Sequence, residues 1–272
     1  MSAITIGEVG ERPEARAAFD AVRAAVGGDA GGSEPVPLGA TLLLARRGAA
    51  PLACASIAVA TDLHGAPGPS GLVGHYQAVD PDAGVAVLGV ACRSLSARGV
   101  ARVLGPVNGS TWGRYRLALR PAAPTADEDP PPFQGEPWNP IRYPADFAAA
   151  GFNVAARYES RIDESLDAAP ADATELALRV RDAGVTVRSL ALQRFDEELD
   201  RLFDLSLEAF SANLYYTPLD RDAFRAQYAP LRARIDPALV LVAEDAAQRP
   251  VAFQFALRRR RAAAASAAAC WT

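Results

Sequence analysis

The chain has 272 residues, half of them apolar, which is enough for a sizeable core and about two domains. A net charge of −4 gives no overall attraction to nucleic acid or anionic lipid, so neither is expected as a partner. The sequence shows no apolar run of roughly 18 residues and no secretory signal at its start. Three widely spaced cysteines fit a reduced compartment, and we therefore expect a cytoplasmic protein.

The first part of the chain alternates between strand and helix patterns. Asp80 can accept hydrogen bonds from the free amide groups of a helix start, which predicts a helix just after it. Apolar runs and turn residues predict the flanking strands. In chain order we expect a strand over 3–8, a helix from Pro13 to Gly27-Gly28, a hairpin of strands 41–45 and 52–60, a strand over 71–79, a helix over 83–97 and a strand over 100–104.

Residues 121–140 are rich in proline and acidic residues, which predicts an extended loop. A short helix over 144–150 follows and ends at Gly151, because glycine accepts the left-handed conformation after a helix. A strand over 152–162 is expected next. Together these elements predict one complete domain with a mixed sheet over residues 1–165.

A similar order of elements begins again in the second half of the chain. We interpret 166–184 as a linker helix and 185–258 as a partial second unit. Residues 259–272 are an arginine- and alanine-rich tail of low complexity, which fits either a truncated second unit or a natural basic tail. The expected elements are a helix over 172–183, a strand over 185–192, an amphipathic helix over 195–210, a helix that starts at Asp220, and hairpin strands over 239–243 and 251–257.

Residues 139–152 carry a resemblance to a known family. An asparagine precedes a helix with a tyrosine in Asn139-Pro-Ile-Arg-Tyr143, and that helix ends in Gly151-Phe152. This arrangement is similar to the late motif of the GNAT superfamily of acyl-CoA-dependent N-acyltransferases. The order of elements over 3–162 is similar to that fold as well. The resemblance implies an α/β protein with a GNAT-like mixed sheet, one complete unit plus a partial second unit.

Residues 105–116 carry a narrower resemblance. They read Gly-Pro-Val-Asn-Gly-Ser-Thr-Trp-Gly-Arg-Tyr-Arg, and a Glu-Pro-Trp-Asn-Pro segment follows at 136–140. Both stretches resemble those of an uncharacterised bacterial subgroup of GNAT-like proteins, whose longer chains hold a second GNAT unit. The resemblance implies that the second unit of this chain is truncated. It also implies acetyl-CoA or another acyl-CoA as the cofactor of the complete family member.

The junction between the third strand and the next helix does not match the phosphate-binding loop of that superfamily. Residues 79–84 read Val-Asp-Pro-Asp-Ala-Gly, with one glycine, no basic residue and two aspartates that would repel phosphate. We therefore predict that the first domain does not hold acyl-CoA in the usual way. No such loop follows Leu257 either, so this chain is expected to bind acyl-CoA poorly or not at all.

His75 and Tyr143 are the candidate catalytic residues. An imidazole titrates near neutrality and can accept a proton from an ammonium group, although lone histidines are often structural or solvated. The resemblance places a tyrosine, as proton donor, four residues before the Gly-Phe pair, where this chain has Phe147. Tyr143 lies one helical turn earlier and is the substitute, with a surface tyrosine as the alternative interpretation.

A dense cluster of polar and aromatic residues follows the strand over 100–104, at a strand end of the kind where α/β sheets bind ligands. Arg114 and Arg116 can form paired hydrogen bonds to a carboxylate or phosphate. The alternative is that Asn108-Gly109 is a turn and the aromatic residues pack beneath the long loop. The candidate ligand-binding residues are Asn108, Trp112, Arg114, Tyr115, Arg116 and Asn139.

The cysteines and histidines lack the spacing of metal ligands, so no metal site is expected. Residues 210–218 fit either the lining of an acceptor pocket or a loop pinned into the core. Two functions remain. The first is acyl transfer from acyl-CoA to a small-molecule or amine acceptor, impaired in this form. The second is a non-catalytic small-ligand-binding or interaction module on a degenerate GNAT fold. The identity of the acceptor and the formation of a homodimer are left open.

Overall fold

The computed structural model describes residues 3–10, 13–26, 34–120, 136–161 and 171–258. The chain forms two compact units. The first unit comprises Met1–Glu159 together with the short segment Ala212–Thr217, and the second comprises Ser160–Ser211 and Pro218–Thr272.

The first unit is built on a five-stranded mixed sheet with strand order β1-β2-β3-β4-β5. Neighbouring strands are antiparallel up to β4, and β5 then pairs with β4 in parallel. The mixed α/β class predicted from the sequence is confirmed. The elements are β1 (Ile4–Glu8), α1 (Pro13–Ala25), β2 (Thr41–Arg47), β3 (Ala50–Ala60), β4 (Ser70–Ala78), α2 (Pro81–Ala97), β5 (Arg102–Leu104) and α3 (Tyr143–Ala149).

The sheet is covered on both faces, and β2 shows why. Successive side chains of a strand point to opposite faces. Leu42 and Leu44 pack with Phe19 of α1, whereas Leu43 belongs to the core cluster that includes Leu88 of α2. Each fully buried side chain of this size contributes about 1.5–3 kcal/mol relative to an exposed one. The continuous apolar run of β2 therefore holds a helix on each side.

The start of α2 has the predicted cap. Asp80 has extended backbone angles, and its Oδ1 accepts a hydrogen bond of 2.9 Å from the backbone N–H of Ala83. Pro81 occupies the first turn, where a missing N–H costs nothing. Gly84 is required inside this turn, because a Cβ atom there would lie 2.2 Å from the hydroxyl of Tyr76. The helix consequently seats directly on β4.

The strand predicted over 152–162 is wrong. Residues 152–161 have no regular secondary structure, and residue 162 lies outside the described residues. Val154 is 68% exposed and Tyr158 is 52% exposed. The reason is that β5, at the edge of the sheet, has only three residues, so the sheet offers this segment little backbone to pair with. The alternating pattern alone is not enough to form a strand.

The second unit contains a three-stranded antiparallel sheet of order β6-β7-β8. Leu199, Leu202 and Phe203 of its long helix are buried, whereas Leu205 and Leu207 are half-buried. The strand predicted over 185–192 is shorter and is followed by a 3-10 turn. The elements are α4 (Ala173–Asp182), β6 (Thr186–Ser189), a 3-10 helix (Leu192–Arg194), α5 (Phe195–Phe210), α6 (Arg221–Tyr228), 3-10 helices (Ala229–Arg234 and Pro237–Leu239), β7 (Val240–Glu244) and β8 (Pro250–Phe255).

Three predicted features lie outside the described residues: Gly27-Gly28, the loop over 121–135 and the tail over 259–272. Across the described part of the chain, every helix is too short or too polar to traverse a bilayer.

Candidate functional site

A cavity of the first unit forms where β4 and β5 separate. Their parallel pairing ends after three residues. Beyond it, the backbone N–H of Val107 donates to the carbonyl of Val73 over 2.8 Å, and the side-chain Oδ1 of Asn108 accepts from the backbone N–H of His75 over 2.6 Å. The Asn108 side chain thus takes the hydrogen-bonding place of a strand where β5 has ended. The resulting cavity has a volume of about 100 Å³.

Most of the predicted site residues line this one cavity. They come from β4, from the loop after β5 and from α3 with its preceding segment. The exception is Trp112, which lies elsewhere in the same unit. The predicted residues that line the cavity are His75, Asn108, Arg114, Tyr115, Arg116, Asn139 and Tyr143.

His75 is placed by a β-bulge. The register between β3 and β4 shifts by one residue here, and His75 has a φ of 50°. A positive φ is uncommon for a residue other than glycine, and such strain collects at functional sites. The ring Nδ1 lies 2.8 Å from Ser56 Oγ. Nε2 is buried and has no hydrogen-bond partner within the described ranges. His75 lines the cavity, and Nε2 is the polar atom of its side chain that has no partner there.

The surroundings of His75 keep its ring neutral. Burial lowers its pKa to about 4, the positive charge of Arg23 acts in the same direction, and the backbone carbonyl of Pro35 opposes both. Near neutral pH the imidazole is uncharged, so one ring nitrogen is an acceptor and the other carries the proton. The acceptor nitrogen of a neutral imidazole can accept a hydrogen bond from a bound ligand.

The pKa of His75 makes the stability of the first unit dependent on pH. The unfolded chain binds a proton near pH 6.5, whereas the folded chain binds it only near pH 4. Stability should therefore fall as the pH drops between those values, by up to about 3 kcal/mol. Urea unfolding of the full chain at about pH 7 and about pH 5 measures this loss. The substitution His75→Asn should reduce it, and an unchanged pH dependence in that variant would contradict the assignment.

Tyr143 closes the outer edge of β4 beyond the bulge. Its hydroxyl accepts from the backbone N–H of Ala78 over 3.0 Å and donates to Gln77 Oε1 over 2.7 Å. Arg142 donates to the carbonyl of Ala78, and Asp146 accepts from Arg142 at 2.5 Å. Burial raises the pKa of Tyr143 to about 12, so its proton stays in place at neutral pH. This edge of the strand is occupied by side chains of α3 and the residue before it.

Replacing Tyr143 by phenylalanine should destabilise the first unit by about 1–3 kcal/mol, because the buried N–H of Ala78 and the amide oxygen of Gln77 lose their partner. Chemical unfolding of the full chain measures the change. The matched control is Tyr158→Phe, since that ring is half exposed and its hydroxyl should contribute little. Equal effects of the two substitutions would contradict the role given to the Tyr143 hydroxyl.

Glu34 organises the loop after β5, and sequence reasoning did not identify it. Its Oε2 accepts from Asn108 Nδ2 over 2.7 Å, and its Oε1 accepts from the backbone N–H of Arg114 over 2.9 Å. Gly113 permits this approach, because a Cβ there would lie 2.4 Å from Oε1. The two partners are more than 70 residues away in sequence, so no local pattern marks this contact.

Arg116 lies among aromatic rings at the other side of the cavity. Its guanidinium carbon is 5.0 Å from the centre of the Tyr115 ring and 4.9 Å from that of Tyr158. Nη2 donates to Glu136 Oε1 over 3.0 Å. A guanidinium has five N–H donors, so these contacts leave donors for a further partner. The two tyrosine rings and Glu136 therefore hold the Arg116 side chain in place, and Glu136 balances part of its positive charge.

Two predicted ligand-binding residues have other contacts. The Asn139 amide is used by the backbone: Oδ1 accepts from Ala118 N–H over 2.7 Å, and Nδ2 donates to the Pro140 carbonyl over 3.0 Å. Asn139 thus shapes the wall. Trp112 donates from Nε1 to the Thr217 carbonyl over 2.9 Å, and its ring lies 5.9 Å from that of Tyr216. The segment 212–217 packs on the first unit through this pair, and none of it lines the cavity.

No family model matches this sequence, and no curated protein matches it. Among solved structures, one described as "Putative acetyltransferase from Agrobacterium tumefaciens str. C58" is similar at 17% identity, over 58% of this chain and 83% of that one. The TM-score is 0.28, so this likeness carries no argument about fold or activity. Across the described residues, no group of three or more histidine, cysteine, aspartate or glutamate side chains is arranged to hold a metal ion.

Proposed function

We propose that this protein is an acyltransferase that uses acyl-CoA, and that its acceptor, a small molecule with an amine, binds in the His75 cavity. The observation that carries the proposal is the neutral imidazole of His75, a residue that lines the cavity and whose buried Nε2 has no partner in the described part of the chain. The nitrogen of an uncharged amine becomes acidic as it attacks the acyl carbon, and the neutral imidazole of His75 can accept the proton that this nitrogen then releases. The motif resemblances at 105–116 and 139–152 support the reaction class.

The parts of the site have distinct roles in this proposal. Ser56 fixes the orientation of the His75 ring through Nδ1. Asn108 holds the backbone at the bulge, and Glu34 in turn holds Asn108. The sequence predicted Tyr143 as a proton donor. Its hydroxyl already donates its hydrogen bond to Gln77 Oε1. We give Tyr143 a positioning role at the cavity wall and assign the proton transfer to His75.

The first unit does not fit the pyrophosphate of acyl-CoA. A helix start binds phosphate through free backbone N–H groups. At the start of α2 the carboxylate of Asp80 accepts from the Ala83 N–H, Pro81 has no N–H to offer, and Arg47 pairs with Asp80 at 3.0 Å. The outer edge of β4 is covered by Tyr143 and Arg142 as well. We therefore assign only the acceptor to this unit.

The affinity of the full chain for acetyl-CoA should accordingly be low, with a dissociation constant weaker than about 100 μM. Isothermal calorimetry with acetyl-CoA measures it. Dephosphorylated coenzyme A is the control ligand, and it should bind no more weakly, because no phosphate site contributes. Sub-micromolar binding that depends on the phosphates would contradict the closed helix start.

The reaction itself is tested with the full chain at about 1 mM acetyl-CoA, the upper end of the usual range of Michaelis constants. Small amines are offered as acceptors, thiol release is followed by absorbance, and the acetylated product is identified by mass spectrometry. We expect acetylation of at least one small amine that depends on the protein. Absence of an acetylated product across the panel would refute the proposed function.

One observation favours a second candidate, a module that binds a small ligand without chemistry. The outer edge of β4 and the start of α2 are both closed by the chain's own side chains. In that case a small ligand would raise the melting temperature of the chain, and no thiol would be released from acetyl-CoA in its presence.

A further inference from the structure

The charged residues that line the His75 cavity all have the same sign. Arg23, Arg114 and Arg116 line it, and no acidic residue does so in the described ranges. Glu34 and Glu136 contact the loop and Arg116 from outside the lining. Clustered guanidinium groups recognise carboxylates and phosphates through paired hydrogen bonds. One end of the ligand is therefore an anion.

The cavity volume restricts the size of the buried ligand. It is about 100 Å³, and an apolar cavity of about 150 Å³ is known to hold benzene. The enclosed part of the ligand therefore has about four non-hydrogen atoms by that comparison. A sugar phosphate or nucleotide is too large, whereas a short carboxylate or inorganic phosphate fits.

The uncharged imidazole of His75 defines the other end of the ligand. When Nδ1–H of His75 donates to Ser56, Nε2 becomes an acceptor that lacks a donor within the described structure. An amine supplies that donor. Gln77 turns its carbonyl oxygen toward Tyr143, which leaves its amide nitrogen as a further donor for an anion.

We infer that the cavity binds a small amino carboxylate, with the carboxylate on Arg114 and Arg116 and the amine on Nε2 of His75. The inference rests on the proposed function and deepens it by naming the class of acceptor. Recognition depends on two groups at opposite ends of one short molecule. A ligand with only one of these groups should make only one of the two sets of contacts.

The test compares ligands on the unmodified full chain by calorimetry and thermal shift. Glycine and β-alanine carry both groups, acetate and propionate only the carboxylate, methylamine and ethylamine only the amine, and inorganic phosphate tests a general anion site. We expect the amino carboxylates to bind at least about tenfold more tightly than all the others. Equal binding of acetate and glycine, or tighter binding of phosphate, would overturn the inference.

Variants then assign the two ends. Arg114→Gln should weaken glycine and acetate alike by about tenfold or more, whereas Arg93→Gln, on the exposed face of α2, should change neither. His75→Asn should weaken glycine but leave acetate unchanged. If Arg114→Gln does not fold, the comparison of ligands on the unmodified chain still tests whether the cavity prefers amino carboxylates.

Failure of the inference and failure of the proposed function give different results. Acetylation of ethylamine with no preference for glycine would leave acyl transfer standing and overturn the amino carboxylate. Tight glycine binding with no acetylated product would support the amino carboxylate and refute acyl transfer.

Discussion

Replacing His75 by asparagine should reduce acetyl transfer by about 10²–10⁴-fold in kcat/KM, because the general base is lost. Asparagine suits this position, since it tolerates the positive φ of 50° and its amide can still reach Ser56. The fold should therefore remain, and only the proton acceptor at Nε2 is removed. Steady-state kinetics with the best acceptor, together with a melting curve, measure both effects.

The matched control is His64→Asn. His64 is exposed and contacts the 212–217 segment through its backbone, so this substitution should leave the rate unchanged. A second readout is the pH profile, which should lose its acidic limb in the His75 variant. Activity of His75→Asn within about threefold of the unmodified chain would show that another group takes the proton.

Replacing Arg188 by methionine should destabilise the second unit by about 3 kcal/mol. Arg188 donates to Glu244 over 2.7 Å and 2.9 Å, and to Glu198 over 3.0 Å. Glu198 is only 1% exposed, and within the described residues Arg188 is the arginine that forms an ion pair with it. Its removal leaves a buried carboxylate without compensation, which is the costly case for a buried ion pair.

Urea unfolding and hydrogen exchange at β6 and β7 in the full chain measure this loss. Arg181→Met is the control, because the Arg181–Asp182 pair is over 70% exposed on both sides and should contribute less than about 1 kcal/mol. The double substitution Arg188→Met with Glu198→Met should recover most of the loss, since the buried charge is then gone. A loss of under 1 kcal/mol for Arg188→Met alone would show that the ion pairs of Arg188 with Glu198 and Glu244 contribute no more than ordinary surface pairs.

Local signals predicted the first four strands and α2 well. The apolar run over 41–45 predicted β2, and Asp80 predicted the start of α2 through its side-chain cap. These features depend on residues that are close in sequence. The strand expected over 152–162 was wrong because a strand also needs a partner, and its absence at the short β5 is a property of the whole sheet.

The candidate site was predicted only in part, because some of its contacts join residues that are far apart in the sequence. The motif at 105–116 pointed to Asn108 and to its arginines, and these line a cavity with His75 and Tyr143. What the sequence did not reveal was the contact of Glu34 with that loop, the bulge at His75, and the packing of Trp112 on the 212–217 segment. Each joins residues far apart in the chain, so only the folded structure brings them together.

The most direct measurement of the central claim is the ¹⁵N spectrum of the histidine rings in the full chain, which contains only His64 and His75. At about neutral pH the His75 ring should be uncharged, and glycine should shift its Nε2 resonance while the His64 signals stay fixed. A His75 ring that is protonated at neutral pH, or whose resonances do not move at saturating glycine, would contradict the account.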